Sequence, residues 1–241
     1  MNVKKIITTK KIKEKVEEPE EELETTPESA EGEEPTLADM LPYLFMEPAE
    51  EEAKPKIRTL SLHGEVNEES ASELIYSLMM LKRMGKKTEL KDPEDPESEE
   101  ITTYEPIELL ISTHGGSASE MFGIYDTMRM VKKDCDVETF GIGKVMSAGV
   151  LLLAAGTKGK RKIMKNCRIM MHSVIGASHG ALHSLENEMD EIRYLQEQHI
   201  DCLVEETDMT KRYLKKLMDR KVNVYLTAEQ AVELGIADII I

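Results

Sequence analysis

Ile57-Arg58-Thr59-Leu60-Ser61-Leu62 alternates in the manner of a strand, and this segment marks the start of an ordered domain. A helix is predicted over 69–84, where Leu74, Ile75, Leu78, Met79 and Leu81 fall on its apolar side. The next stretch, 86–105, is polar and holds Pro93 and Pro96, so it reads as a surface insertion. Ile107-Glu108-Leu109-Leu110-Ile111 returns the chain to the core as a strand. A glycine turn, a helix over 119–131 and a strand over 137–142 follow. Strands alternating with helices predict parallel strands joined by helical crossovers, the α/β class.

Past His172 the pattern changes. Gly176 and Gly180 bracket a short flexible or extended segment, after which 181–206 runs without Gly or Pro. Leu182, Leu185, Met189, Ile192, Leu195, His199 and Leu203 recur there at helical spacing, an apolar seam on one long helix. A seam of this kind on a projecting helix meets another subunit, the alternative being burial within its own chain. At the other end, 13–54 is rich in Glu and punctuated by Pro19, Pro27, Pro35, Pro42 and Pro48. It has too little apolar surface to offset the entropy of ordering. The division that results is an acidic, disordered tail at 1–55 and a domain at 56–241. Within the tail, 37–46 is an apolar island, either a partner-binding peptide or an element folded against the core.

Charge follows this division. The chain carries a net charge of −16. Residues 1–54 hold 7 Lys against 16 acids, and 89–100 holds 7 acids against Lys91, which leaves a net of about −1 for the rest. The folded part is nearly neutral, which argues against nucleic acid as a partner. Cys135, Cys167 and Cys202 are odd in number and form neither CxxC nor a zinc spacing, consistent with reduced thiols in the cytoplasm. The N-terminus lacks the apolar run of a secretory signal, and the longest apolar stretch, 148–155, is far short of the ~18–20 residues of a membrane span. The expectation is a cytoplasmic chain with no membrane partner.

Three short motifs carry candidate chemistry. Ser147 lies in Gly143-Lys144-Val145-Met146-Ser147-Ala148-Gly149, between a strand and the apolar helix beginning at Ala148. A hydroxyl at such a turn sits beside free backbone N–H groups that favour developing negative charge. His172 closes Arg168-Ile169-Met170-Met171-His172, and Gly115-Gly116 closes Ser112-Thr113-His114-Gly115-Gly116. Each has an ordinary reading alone: a serine N-cap, a packed strand-end histidine, a turn.

Together with their surroundings they resemble the Clp protease proteolytic subunit (ClpP) family, the peptidase partner of ATP-driven unfoldases. The similarity spans about 57–241, through Ile111-Ser112-Thr113-His114-Gly115-Gly116, Met146-Ser147-Ala148-Gly149, Leu152-Leu153-Ala154-Ala155-Gly156-Thr157-Lys158-Gly159-Lys160-Arg161 and the closing Leu226-Thr227-Ala228-Glu229-Gln230-Ala231. The resemblance implies the ClpP/crotonase-like fold of stacked ββα units, with a projecting handle at about 173–208. It implies Ser147 as nucleophile, His172 as general base and then acid, and the N–H groups of Gly116 and Ala148 as oxyanion hole. It also implies that Ser117, Ala118, Val174 and Ile175 pair with a substrate strand through backbone. The partners implied are unfolded polypeptides, an AAA+ unfoldase, and further copies of the chain in two stacked heptameric rings.

The third triad position departs from the family: Asn223 stands where an aspartate belongs. An asparagine holds an imidazole but offers its imidazolium no charge, and in serine peptidases such an Asp to Asn change costs about 10⁴ in turnover. Asp219, four residues earlier, is a substitute if that stretch is helical. The implied function is a serine endopeptidase subunit of an ATP-dependent Clp-type protease, slowed by Asn223. The alternatives are an impaired structural subunit beside an active paralogue, and an unfoldase-independent processing protease in virus-like assembly. Lys144 is the base of a less favoured Ser-Lys mechanism. Gly141-Ile142-Gly143 lacks the Lys-Ser/Thr of a phosphate loop and no metal cluster appears, so no cofactor is expected and ATP is used only by the partner.

Overall fold

The computed structural model describes residues 57–219 and 222–241; the acidic tail and its apolar island lie outside the described residues. Strand β1 (Thr59–Val66) pairs in parallel with β4 (Ile107–Gly116), β4 with β5 (Val137–Met146), β5 with β6 (Arg161–Ile163), and β6 with β9 (Ile239–Ile240). The crossovers are α1 (Glu68–Met84), closed by an Asn67–Ser70 capping box, and α2 (Ala118–Lys132). Both predicted helices are present, and the apolar side read for the first packs inward: Leu74 and Leu78 are buried, with Ile75, Met79 and Leu81 against the core.

β5 is long enough to serve two neighbours. Its middle, Thr139–Gly141, pairs with β6, while its end, Lys144–Met146, pairs in parallel with β7 (Arg168–Met171). β7 in turn pairs antiparallel with β8 (Val224–Leu226). The fork is filled by α3 (Ala148–Ala154), all seven of whose residues are buried, Leu151, Leu152 and Leu153 completely. Each such leucine contributes about 1.5–3 kcal/mol of burial. A short α3 can therefore hold the turn in front of it against the sheet.

The polar stretch 86–105 is more ordered than its composition predicts. It forms a hairpin, β2 (Lys86–Leu90) against β3 (Glu100–Tyr104), separate from the main sheet. Its base is closed by the Glu105 N–H donating to the Gly85 carbonyl at 3.0 Å. The Arg58 guanidinium donates to the carbonyls of Leu81, Glu105 and Pro106 at 3.0, 2.7 and 2.9 Å.

The long helix α4 (Leu182–Glu206) divides into two parts. His199, Ile200, Leu203 and Glu206 are buried within the chain, whereas Leu182 and Met189 are 67% and 49% exposed. The inner part of the seam is thus buried within the chain, while the outer part stays uncovered in a single copy. Its inner end is fastened by Arg161, 4% exposed, which donates to the Glu206, Ala154 and Gly235 carbonyls at 2.7, 3.2 and 2.8 Å. The same guanidinium pairs with Asp238 at 2.8 and 2.5 Å. Helices α5 (Lys211–Met218) and α6 (Ala228–Glu233) complete the C-terminal segment.

Candidate active site

Parallel pairing in register explains why residues 25 positions apart meet. Met146 stands opposite Met170 across β5 and β7. Ser147 and His172, one and two residues further on, leave the sheet at the same end, and β4 delivers Gly115 and Gly116 there too, Thr113 standing opposite Val145. Crevices at the carboxyl ends of parallel strands are the usual ligand sites of such sheets. Here the crevice is a cavity of about 320 Å³.

Ser147 occupies a tight strand-to-helix turn with φ 52° and ψ −122°, and it is the only non-glycine residue at positive φ among the described residues. Strained backbone of this kind costs about 1–3 kcal/mol and persists where the surroundings over-determine it. Two bonds do so: the Ser147 N–H donates to the Met170 carbonyl at 2.8 Å, and its carbonyl accepts from Val150 N–H at 3.0 Å. Its side chain makes no capping bond. The N-cap explanation of this serine therefore fails, since the hydroxyl is not spent on the helix. Ala148, the first residue of α3, has an N–H that cannot find a helical carbonyl four residues back.

The glycine pair is dictated by close approach. A Cβ on Gly115, whose φ is 96°, would lie 2.5 Å from Ser147 Cβ and 3.0 Å from its Oγ; one on Gly116 would enter the Val66 carbonyl. Buried Thr113 sets the loop, its Oγ1 accepting from Gly115 N–H at 2.9 Å and donating to the Gly64 carbonyl at 2.6 Å.

His172 is half-buried, and its Nδ1 lies 2.5 Å from the Ser173 carbonyl oxygen. A carbonyl can only accept, so Nδ1 carries a proton, and in the neutral ring this leaves the lone pair on Nε2. That is the tautomer of a general base. No hydrogen bond joins the Ser147 hydroxyl to the ring in this state.

Ser147, His172, Gly116, Ala148, Ser117, Ala118, Val174 and Ile175 all line the cavity. Two of the backbone donors are already engaged: Ser117 N–H with the Val66 carbonyl at 2.8 Å, and Val174 N–H with Gln196 Oε1 at 3.1 Å. Asn223 is exposed and lies outside the cavity lining, and Asp219, at the C-terminus of α5, is exposed as well. The group that holds His172 here is thus the Ser173 carbonyl, which sequence motifs could not reveal because every residue has one. Lys144 is exposed and outside the cavity. The lining also holds residues that motif reading missed, Glu65, Met121, Ser173 and His199 of α4 among them; the seam offered burial of His199 only as the alternative to a subunit contact and gave no sign of its neighbours. Burial, with His172 close by, pushes its imidazole down to about 4. Among the described residues no cluster of three or more His, Cys, Asp or Glu side chains could hold a metal ion.

Comparison with known proteins agrees with this geometry. The family model described as Clp protease matches residues 98–241. The ATP-dependent Clp protease proteolytic subunit 1 of Prochlorococcus marinus subsp. pastoris is 33% identical over 184 residues, covering 76% of this chain and 83% of that protein. The protein of the same name from Prochlorococcus marinus strain MIT 9312 is also 33% identical over 184 residues, 76% of this chain and 84% of its own length. A family match over more than half the chain, on a fold whose forked strand brings the matched motifs to one crevice, makes this chain a member of the Clp protease family.

Proposed function

We propose that this chain is the serine endopeptidase subunit of an ATP-dependent Clp-type protease, cutting unfolded polypeptides inside an oligomeric chamber. The observation that carries the reading is the uncommitted Ser147 hydroxyl on a strained turn whose backbone N–H is bonded to β7, the strand that leads into His172. His172 Nε2 takes the Ser147 Oγ proton as Oγ bonds to the scissile carbonyl carbon. The oxyanion is received by the N–H groups of Gly116 and Ala148. The imidazolium then gives its proton to the departing amine, leaving an acyl-enzyme, and water activated by the same nitrogen releases the acid and restores the serine. The Ser173 carbonyl orients the ring throughout but brings no negative charge, so turnover is slow for the class.

The exposed outer part of α4 supports assembly with further copies of the chain as stacked rings, since Leu182 and Met189 remain uncovered in a single copy. The relatives are ATP-dependent Clp protease proteolytic subunits, which supports an ATP-consuming partner here, in this reading an unfoldase. In the proposed setting, the cytoplasm, this chain uses no cofactor and ATP is consumed only by that partner. Asn223 favours a second reading, a structural subunit beside an active paralogue. The test is fluorophosphonate labelling of the parent and of Ser147→Ala, with fluorogenic peptide hydrolysis and sizing by light scattering. Labelling and hydrolysis by a large assembly, both abolished in the variant, are expected. A large assembly that neither labels nor cleaves would overturn the peptidase and leave the structural role.

A further inference from the structure

The cavity beside Ser147 holds a polar side chain that the reaction leaves idle. His199 lines it and is only 8% exposed, yet its Nε2 is buried with no hydrogen-bond partner, the one such side-chain atom among the described residues. Roughly 90% or more of buried polar groups are paired, and an orphan needs an explanation. The rest of the core keeps the rule: the Tyr125 hydroxyl donates to Glu206 at 3.1 Å, and Arg161 spends its guanidinium on one carboxylate and three carbonyls. Leucines occupy the seam on both sides, at Leu195 and Leu203, so an apolar residue at 199 would fill the position without an orphaned nitrogen.

We infer that His199 is a specificity residue, giving the cavity a hydrogen-bonding wall for the carboxamide side chain of a glutamine or asparagine next to the peptide bond being cut. The inference rests on the peptidase reading of the cavity. A neutral imidazole has one N–H and one lone pair, and a carboxamide offers the complement of each. The ring is neutral at neutral pH, because burial and nearby His172 hold its protonation to about 4. It therefore gives a carboxylate no counter-charge, and Glu65, also in the lining, further disfavours an acidic side chain. Met121, Ala118, Val174 and Ile175 supply apolar surface for the methylenes.

The test compares two fluorogenic peptides identical except for Gln or Leu immediately before the scissile bond. Parent, His199→Leu and the ring-sized His199→Phe are assayed for hydrolysis. The same peptides, fluorescently labelled, are titrated by anisotropy onto Ser147→Ala with and without each His199 change. The parent is expected to favour the Gln peptide, and the Gln:Leu ratio to fall by about ten-fold or more in both variants, in kcat/KM and in affinity alike. An unchanged ratio, a parent preference for Leu, or equal loss of both peptides would overturn the subsite. If the binding ratio shifts while no protein cleaves either peptide, the subsite stands and the peptidase reading falls. If cleavage occurs with an unmoved ratio, the reverse holds.

Discussion

Replacing Gly115 by alanine tests the packing around Ser147 most directly. The added Cβ would stand 2.5 Å from Ser147 Cβ and 3.0 Å from Oγ. Ordinary carbon contacts lie at about 3.5–4.0 Å, so one side must move by roughly 1 Å. Neither yields easily. Gly115 sits at φ 96°, where an alanine adds about 1–3 kcal/mol of its own strain, and Ser147 is already at φ 52° with its N–H tied to Met170. The displacement falls on the hydroxyl, and a misplacement of about 1 Å at a reacting group costs about 100-fold in rate. Steady-state peptide hydrolysis and the rate of fluorophosphonate labelling should both fall by about that factor, while thermal unfolding stays cooperative with a Tm only a few degrees lower. A Gly115→Ala protein with kcat/KM within about threefold of the parent would refute the close approach and the placement of the serine with it.

Arg161→Met should lower stability by about 3–5 kcal/mol, because it strands the Asp238 carboxylate and three carbonyls. At about 2–4 °C per kcal/mol for a domain of this size, differential scanning calorimetry should show a Tm lower by about 6–20 °C; a loss under about 3 °C would contradict it. Burial alone would push the Asp238 carboxyl up, but hydrogen bonds from Arg161 and the Gly159 N–H outweigh it and hold it below the usual range. A carboxyl depressed on folding contributes stability above its unfolded pKa and loses it as pH falls through the folded value, so the parent should lose Tm below about pH 4 more steeply than Asp238→Asn. Parallel curves would sink that assignment. Asn223→Asp should change kcat by less than about threefold, since Asn223 is exposed outside the cavity and the Ser173 carbonyl holds His172. A gain approaching 10³ would show that this segment closes on the imidazole in the working assembly.

The parts of the fold that could be read from the chain are those whose pattern has one buried face. β4 shows the alternation of Ile107, Leu109 and Ile111, and α3 announces itself as an unbroken apolar run. The hairpin at 86–104 had no such signal: Lys87, Thr88, Glu89 and Thr102 are exposed, so its order comes from cross-strand bonding and the clamp at Arg58. At the site, Ser147, His172 and Gly116 were legible as local motifs. What holds them was not, since the Ser173 carbonyl and the Met170 carbonyl are backbone groups that no residue type marks. His199 was hidden for a different reason. Helical spacing shows which side chains share a face, and only the tertiary path of α4 shows what that face meets.

The hairpin has a practical consequence. Its two feet, at Gly85 and Glu105, already touch, and its arms pair with each other and with no strand of the main sheet. Passenger sequence spliced between Leu90 and Glu100 would hang from a mounting post, leaving every path through the main sheet the same length. A fluorophore or affinity handle placed there would report on the chain without altering the main sheet.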